Sequence, residues 1–215
     1  HVLSAQMFSG RLYEVDLRLR PDGDSGLVAT TLTGFRRYQL ESAWTWEHQA
    51  LVRSRTVAGD PSLRASLEQL RREVLTMPRD ALVLSAAVRD MRHKMLTEQV
   101  SMNRGVERFD IKRDQGGIVD IEFVVQYLVL AHASEYPALA QWSDVIRLLD
   151  TLEQVGVLSA DQAAVLSSRY LIYRSALHGL ALQGADTQVE AGAHVAGREQ
   201  VKRVTEALLP GLQAT

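Results

Sequence analysis

The chain contains no cysteine, which excludes disulfide bridges and thiolate zinc sites together. Its six histidines stand far apart, at His1, His48, His93, His132, His178 and His194, without the close helical spacing of paired metal ligands. A zinc enzyme is therefore not expected. Long apolar runs are missing as well: none approaches the roughly 20 residues that cross a bilayer, and no charged-then-apolar leader precedes a cleavage site. These absences point to a soluble, globular chain with no membrane partner and the cytoplasm as its default address. A strong charge of either sign is also lacking, at net -2 over 215 residues. That balance argues against a nucleic-acid binder working by broad phosphate neutralisation, so any phosphate chemistry must be local. Lysine is scarce, with Lys94, Lys112 and Lys202 as three of 24 basic residues. The arginine excess reads as coding bias, and a lysine inside a motif then draws attention.

What is present, 46% hydrophobic residues, suffices for one full core or a core plus a partial one. The stretch "LYEVDLRLRPDGDSG" alternates as a half-buried strand does, with Tyr13, Val15, Leu17 and Leu19 on one face and Glu14, Asp16, Arg18 and Arg20 on the other. "LVATTL" offers a second short strand, with Thr31 or Thr33 as the N-cap of a helix after it. Beta character is confined to this front part.

From Gly34 onward the spacing predicts helices. One runs from about Gly34 to Val57 and is stopped by Gly59 and Pro61. Pro61 opens a second that Pro78 closes, and "RDALVLSAAVRDMRHKMLTEQ" forms a third. After a polar loop, "RFDIKRDQGG" leads into "IVDIEFVVQYLVLAHA", whose apolar character all round predicts the central buried helix. Ser143 to Val155, Ser159 to Gln183 with Ser159 as N-cap, and Arg198 to Leu209 complete the set, with "GADTQVEAGAHVAG" as a loose connection. The expected class is α+β, predominantly helical.

Three constellations could carry chemistry. In the opening strand, Asp16 between Val15 and Leu17 could hold a hard cation rigidly, and Arg18 and Arg20 on the same face could meet phosphate. The same charges could equally form a solvated strand face. Next, Phe35, Tyr38, Ser42, Trp46, Gln49 and Arg53 make one helical stripe. Trp46 with Arg53 could frame a base and its phosphates, although packed tryptophans, Trp44 and Trp46 both, are the commoner outcome. Finally, "FDIKRDQGGIVDIEF" places Gly116 and Gly117 ahead of a helix, where bare N–H groups can face an anion. Lys112 stands upstream, and Asp120 falls in the first turn, where an acid also satisfies orphan donors. Glu122, inside an apolar helix, needs an Arg or Lys from another segment if it is buried.

Taken together, "LYEVDLRLRPDGDSGLV", "FRRYQLESAWTWEHQALVRSR" and "FDIKRDQGGIVDIEF" resemble the bifunctional glutamine synthetase adenylyltransferase/deadenylylase family, which is similar to DNA polymerase beta-type nucleotidyltransferases. "AWTWEHQAL" resembles the C-terminal, adenylylating unit. The resemblance implies the C-terminal part of a nucleotidyltransferase sheet in residues 1–33 and a helical bundle in 34–215. It implies ATP as substrate, Mg2+ as cofactor, a tyrosine of glutamine synthetase as acceptor, and the PII signalling protein and glutamine as regulators. Asp16 would be the catalytic, metal-binding acid, matching the third acid of the superfamily. Arg18, Arg20, Arg53, Lys112, Asp120 and Glu122 would bind or brace the nucleotide. The family's Gly-Ser...Asp-x-Asp motif has no counterpart in the chain, so these residues alone are expected to be inactive. Phosphorolytic removal of AMP and a non-catalytic helical interaction module are the alternatives.

Overall fold

The computed structural model describes residues 5–8, 10–11, 21, 26–27, 29–100 and 108–213. The alternating strand, with Asp16, Arg18 and Arg20, lies outside the described residues. Ahead of it, β1 (Gln6–Met7) and β2 (Gly10–Arg11) pair antiparallel, Gln6 opposite Arg11 and Met7 opposite Gly10. Leu27, Ala29, Thr30 and Thr31 belong to no strand, so among the described residues "LVATTL" leads directly into a helix. Thr31 is its N-cap, accepting the Gly34 N–H at 3.1 Å.

The single helix expected from Gly34 to Val57 is two, α1 (Leu32–Glu41) and α2 (Thr45–Val52). The N–H groups of Ser42 and Ala43 both close on the Tyr38 carbonyl, which ends α1. Glu47 starts α2: its carboxylate accepts the Trp44 N–H at 2.8 Å and the Tyr38 hydroxyl at 2.9 Å. An acid three residues past the cap often marks a helix start, but with Trp rather than Ser or Thr at the cap the signal is hard to see. The break turns Trp44 outward at 70% exposure, contrary to its expected packing.

The remaining helices are α3 (Pro61–Leu75), α4 (Ala81–Val100), α5 (Ile118–His132), α6 (Val145–Gln154), α7 (Ala160–Leu182) and α8 (Val195–Leu208). Several starts have a local cause. Asp60 accepts the Ser62 and Leu63 N–H groups ahead of α3, and Asp80 those of Leu82 and Val83 in α4. Ser159 and Gln162 cap one another reciprocally at α7. As its composition requires, α5 is the central helix, packed against α2, α4, α6, α7 and α8. Ile121, Val124, Val125, Leu128, Val129 and Leu130 on it are at most 3% exposed. At about 1.5–3 kcal/mol for each such side chain fully buried, α5 is the principal apolar contribution to the fold.

Beta structure is not confined to the front. Strand β3 (Arg108–Asp110) pairs antiparallel with β4 (Gln188–Glu190), Phe109 opposite Val189. The lead-in to the central helix and the segment expected as a loose connection thus clasp each other. Phe109, 1% exposed, packs edge-on to Tyr173 with ring centroids 6.2 Å apart, which anchors this ribbon on α7. The result is an α+β chain, predominantly helical, with two short antiparallel ribbons among the described residues.

Candidate functional site

The turn between β3 and α5 is built around Asp110. Its Oδ1 accepts the N–H groups of Lys112 and Arg113 at 2.9 and 3.0 Å and the Thr187 hydroxyl at 2.8 Å. The backbone is thereby bent, and Lys112 projects as an exposed side chain. Gly116 comes next with φ 78, a left-handed conformation, and a Cβ there would stand 2.7 Å from the Arg198 carbonyl. Only glycine fits. A Cβ on Gly117 would come within 2.5 Å of the Ile111 carbonyl.

The bare N–H groups expected to face an anion are occupied internally. Gly116 donates to Asp120 Oδ2 at 2.6 Å, and Gly117 donates to the Asp114 carbonyl at 2.9 Å. The anion at this helix start is Asp120 itself. Its other contacts are Arg92 Nε at 2.5 Å on Oδ1 and Gln213 Nε2 at 2.9 Å on Oδ2. Asp120 is 1% exposed, and the structure places it in the core as the joint of α4, α5 and the segment after α8.

Two residues further along α5 the direction reverses, as helical geometry demands. Glu122 faces outward into a cavity of about 540 Å³ and forms an ion pair with Arg53 from the loop after α2. The partner that a carboxylate in an apolar helix requires is therefore the arginine at the polar end of the α1–α2 stripe. Lys112 also lines this cavity. Arg53, Lys112 and Glu122 are thus brought together, while Asp120 is not on the cavity and Trp46 is not among its lining residues.

Residues without an expected role complete the walls: Arg55 beside Arg53, and Tyr170, Arg174 and His178 along α7. The last three repeat at intervals of four, a stripe on one helix face that was visible in the sequence. Burial pushes the Tyr170 phenol above its ordinary value, with Arg53 opposing and Glu122 adding, then Arg174 opposing and Asp144 adding. All four charges therefore act on one buried hydroxyl.

The start of α6 forms the rim through Ser143, Asp144 and Val145. Asp144 is committed: it accepts the Arg147 N–H at 3.0 Å and lies 3.6 Å from Arg147 Nε. With Glu122 paired to Arg53, both cavity acids are engaged. Arg55, Lys112 and Arg174 have no carboxylate partner among the described residues. The cavity is consequently cationic and suited to an anion. It does not suit a divalent cation, and no group of three or more His, Asp or Glu able to hold a metal ion occurs among the described residues.

A second concavity of about 300 Å³ lies between α1, α2 and α3, walled by Phe35, Ala50, Leu51, Leu67 and Leu70. Gln39 lines it, and its amide oxygen has no hydrogen-bond partner. Arg55 borders both cavities.

Two family models match the chain. One described as glutamate-ammonia ligase adenylyltransferase matches residues 1–70, from the front through most of α3. The other, described as GlnD PII-uridylyltransferase, matches residues 85–189, from α4 into β4. Together they support a nucleotidyltransferase of this kind, of the sort that works in nitrogen regulation. The cationic cavity draws on both matched regions, Arg53 and Arg55 from the first and Lys112, Glu122, Arg174 and His178 from the second.

Proposed function

We propose that the chain is part of the adenylylating, C-terminal unit of an enzyme that transfers AMP from ATP to a tyrosine of glutamine synthetase. The observation that carries this reading is the cavity, where cations from three separated segments face one open space with no carboxylate among the described residues left to neutralise them. Such a space answers the needs of phosphoryl transfer, in which positioning and charge neutralisation supply most of the catalysis. In the reaction the tyrosine oxygen attacks the α-phosphorus, the bond from that phosphorus to the bridging oxygen breaks, pyrophosphate leaves, and the hydroxyl proton passes to water. Arg53 and Lys112 would hold the phosphates, with Glu122 fixing the Arg53 guanidinium between turnovers. A metal ion would supply further charge neutralisation when bound, and its ligand on this chain would be Asp16, outside the described residues. PII and glutamine would be the regulators, and the cytoplasm the compartment.

One other reading has an observation in its favour. The match over residues 85–189 is to a uridylyltransferase of PII, so UMP transfer to PII is the rival chemistry.

The test uses the intact enzyme carrying this sequence, with ATP or UTP labelled at the α-phosphate and either glutamine synthetase or PII as acceptor. Label should pass from ATP to glutamine synthetase and be lost in D16N with the fold retained. Transfer from UTP to PII would favour the rival, and undiminished adenylylation by D16N would overturn the role of Asp16.

A further inference from the structure

The second cavity, of about 300 Å³ between α1, α2 and α3, takes no part in the proposed transfer and differs in chemistry from the cationic one. Phe35, Ala50, Leu51, Leu67 and Leu70 give it apolar walls. Its charged lining residues balance, Glu47 and Glu68 against Arg55 and Arg71, which favours a neutral occupant. Most of its polar groups are already engaged. The Glu47 carboxylate accepts the Tyr38 hydroxyl and the Trp44 N–H, the Arg71 guanidinium donates to four carbonyls, and the Ser54 hydroxyl donates to the Leu51 carbonyl at 3.0 Å. Gln39 on α1 is the exception. It is 3% exposed, and its amide oxygen is the one buried side-chain oxygen or nitrogen without a hydrogen-bond partner among the described residues lining the cavity. An acceptor left so costs stability until something supplies a donor. The last torsion of a glutamine is soft, so a turn of the amide brings that oxygen round to the open space.

We propose that this cavity is a second ligand site, for a small neutral aromatic molecule with one N–H or O–H donor, of the indole or phenol class, its ring against Phe35 and the leucines and its donor on Gln39 Oε1. Three features select that class. An apolar cavity of about 150 Å³ takes up benzene, so one of about 300 Å³ has room for two fused rings. Phe35 adds a ring contact that gains beyond the area buried. The lone acceptor asks for a donor, and no buried donor in the lining lacks a partner, so a nucleobase would leave its own acceptors unpaired. The site is therefore distinct from any nucleotide site and does not depend on the transfer reading. Occupancy has a structural consequence. Ser54, Arg55 and Thr56 also line the cavity, and Thr56 reaches Glu68 Oε1 through its N–H and its hydroxyl, each at 3.4 Å. A ring seated there holds the loop between α2 and α3, the same loop that carries Arg53 to Glu122.

The experiment is calorimetric titration of the 215-residue chain with indole, with benzofuran, which carries an oxygen in place of the N–H, and with adenine. Indole should bind, benzofuran about tenfold more weakly, the difference that one hydrogen bond makes, and adenine not at all. In Gln39→Leu, indole should fall to the benzofuran level while benzofuran is held as before, a change of ratio that loosened packing would not produce. Ala50→Trp, which fills the space from α2, should abolish both. Gln39→Leu removes a partnerless amide, so its thermal melt should match that of the unaltered chain. If either variant fails to fold, the ratio of indole to benzofuran affinity on the unaltered chain decides alone. No binding of indole, equal binding of indole and benzofuran, a ratio unchanged in folded Gln39→Leu, or indole binding that survives Ala50→Trp would each overturn the site.

Discussion

Arg92 donates from Nε to Asp120 Oδ1 at 2.5 Å, and the two side chains are 0% and 1% exposed. A charge pair so placed has lost its water and depends on its remaining hydrogen bonds for compensation. Most of these exist: Arg92 Nη2 donates to the Arg113 carbonyl at 2.8 Å, and Asp120 accepts from Gly116 and Gln213, while Arg92 Nη1 is buried without a hydrogen-bond partner among the described residues. The pair therefore fixes the turn that presents Lys112 and the helix that presents Glu122.

Removing one partner strands the other. Asp120→Ala leaves a buried guanidinium without its counter-ion and Gly116 without its acceptor, and should cost about 3–5 kcal/mol. Denaturant unfolding monitored by circular dichroism measures it. A loss below about 1 kcal/mol, the range of an exposed pair, would show that water reaches this site.

Whether an arginine is interior is not written in its neighbours. Arg92 sits in "VRDMRHKM", where every local pattern is that of an exposed helix face, yet it is wholly buried. Helix α5 was legible because apolar residues on all sides leave no face for water. Both ends of the Arg53–Glu122 pair were conspicuous, an arginine ending a stripe and an acid inside an apolar helix, but nothing local says that they meet across 69 residues. The β3–β4 ribbon was hidden for another reason: three residues per strand give too little alternation to register, and the pairing partner lies about 80 residues away. The α1–α2 break turned on one side chain, Glu47, reaching back to Trp44.

Arg71 offers a second stability test. Its guanidinium donates to four carbonyls, Leu51 and Val52 at the end of α2 and Ala140 and Trp142 beyond α5, at 2.6–2.8 Å. It joins the loop carrying Arg53 and Arg55 to the segment carrying Ser143. Arg71→Met should cost about 1–3 kcal/mol for each carbonyl left without a donor or water. Arg71→Lys should rescue little, since one ammonium cannot span four acceptors in a planar fork. Melting temperatures of the two variants should therefore fall close together; near-wild-type melting of the Lys variant would show that charge alone suffices.

A buried histidine makes stability depend on pH. His48 is 9% exposed, with Nε2 2.9 Å from the Gln39 carbonyl and Nδ1 3.5 Å from Arg79 Nη2. Burial lowers its pKa from 6.5; the Gln39 hydrogen bond opposes this, the Arg79 charge adds to it, and Glu47 opposes. The folded chain thus prefers the neutral ring, Nε2–H donating and Nδ1 accepting, and the unfolded chain takes up the proton first as pH falls. Stability from this group is complete above 6.5 and is lost as pH drops below that value and through the lower folded one. Urea unfolding should accordingly give a smaller free energy at about pH 5.5 than at about pH 7.5. His48→Gln keeps a donor for the Gln39 carbonyl but cannot titrate, so the difference between the two pH values should shrink. An identical pH dependence in that variant would assign the loss to other groups and remove His48 from the account.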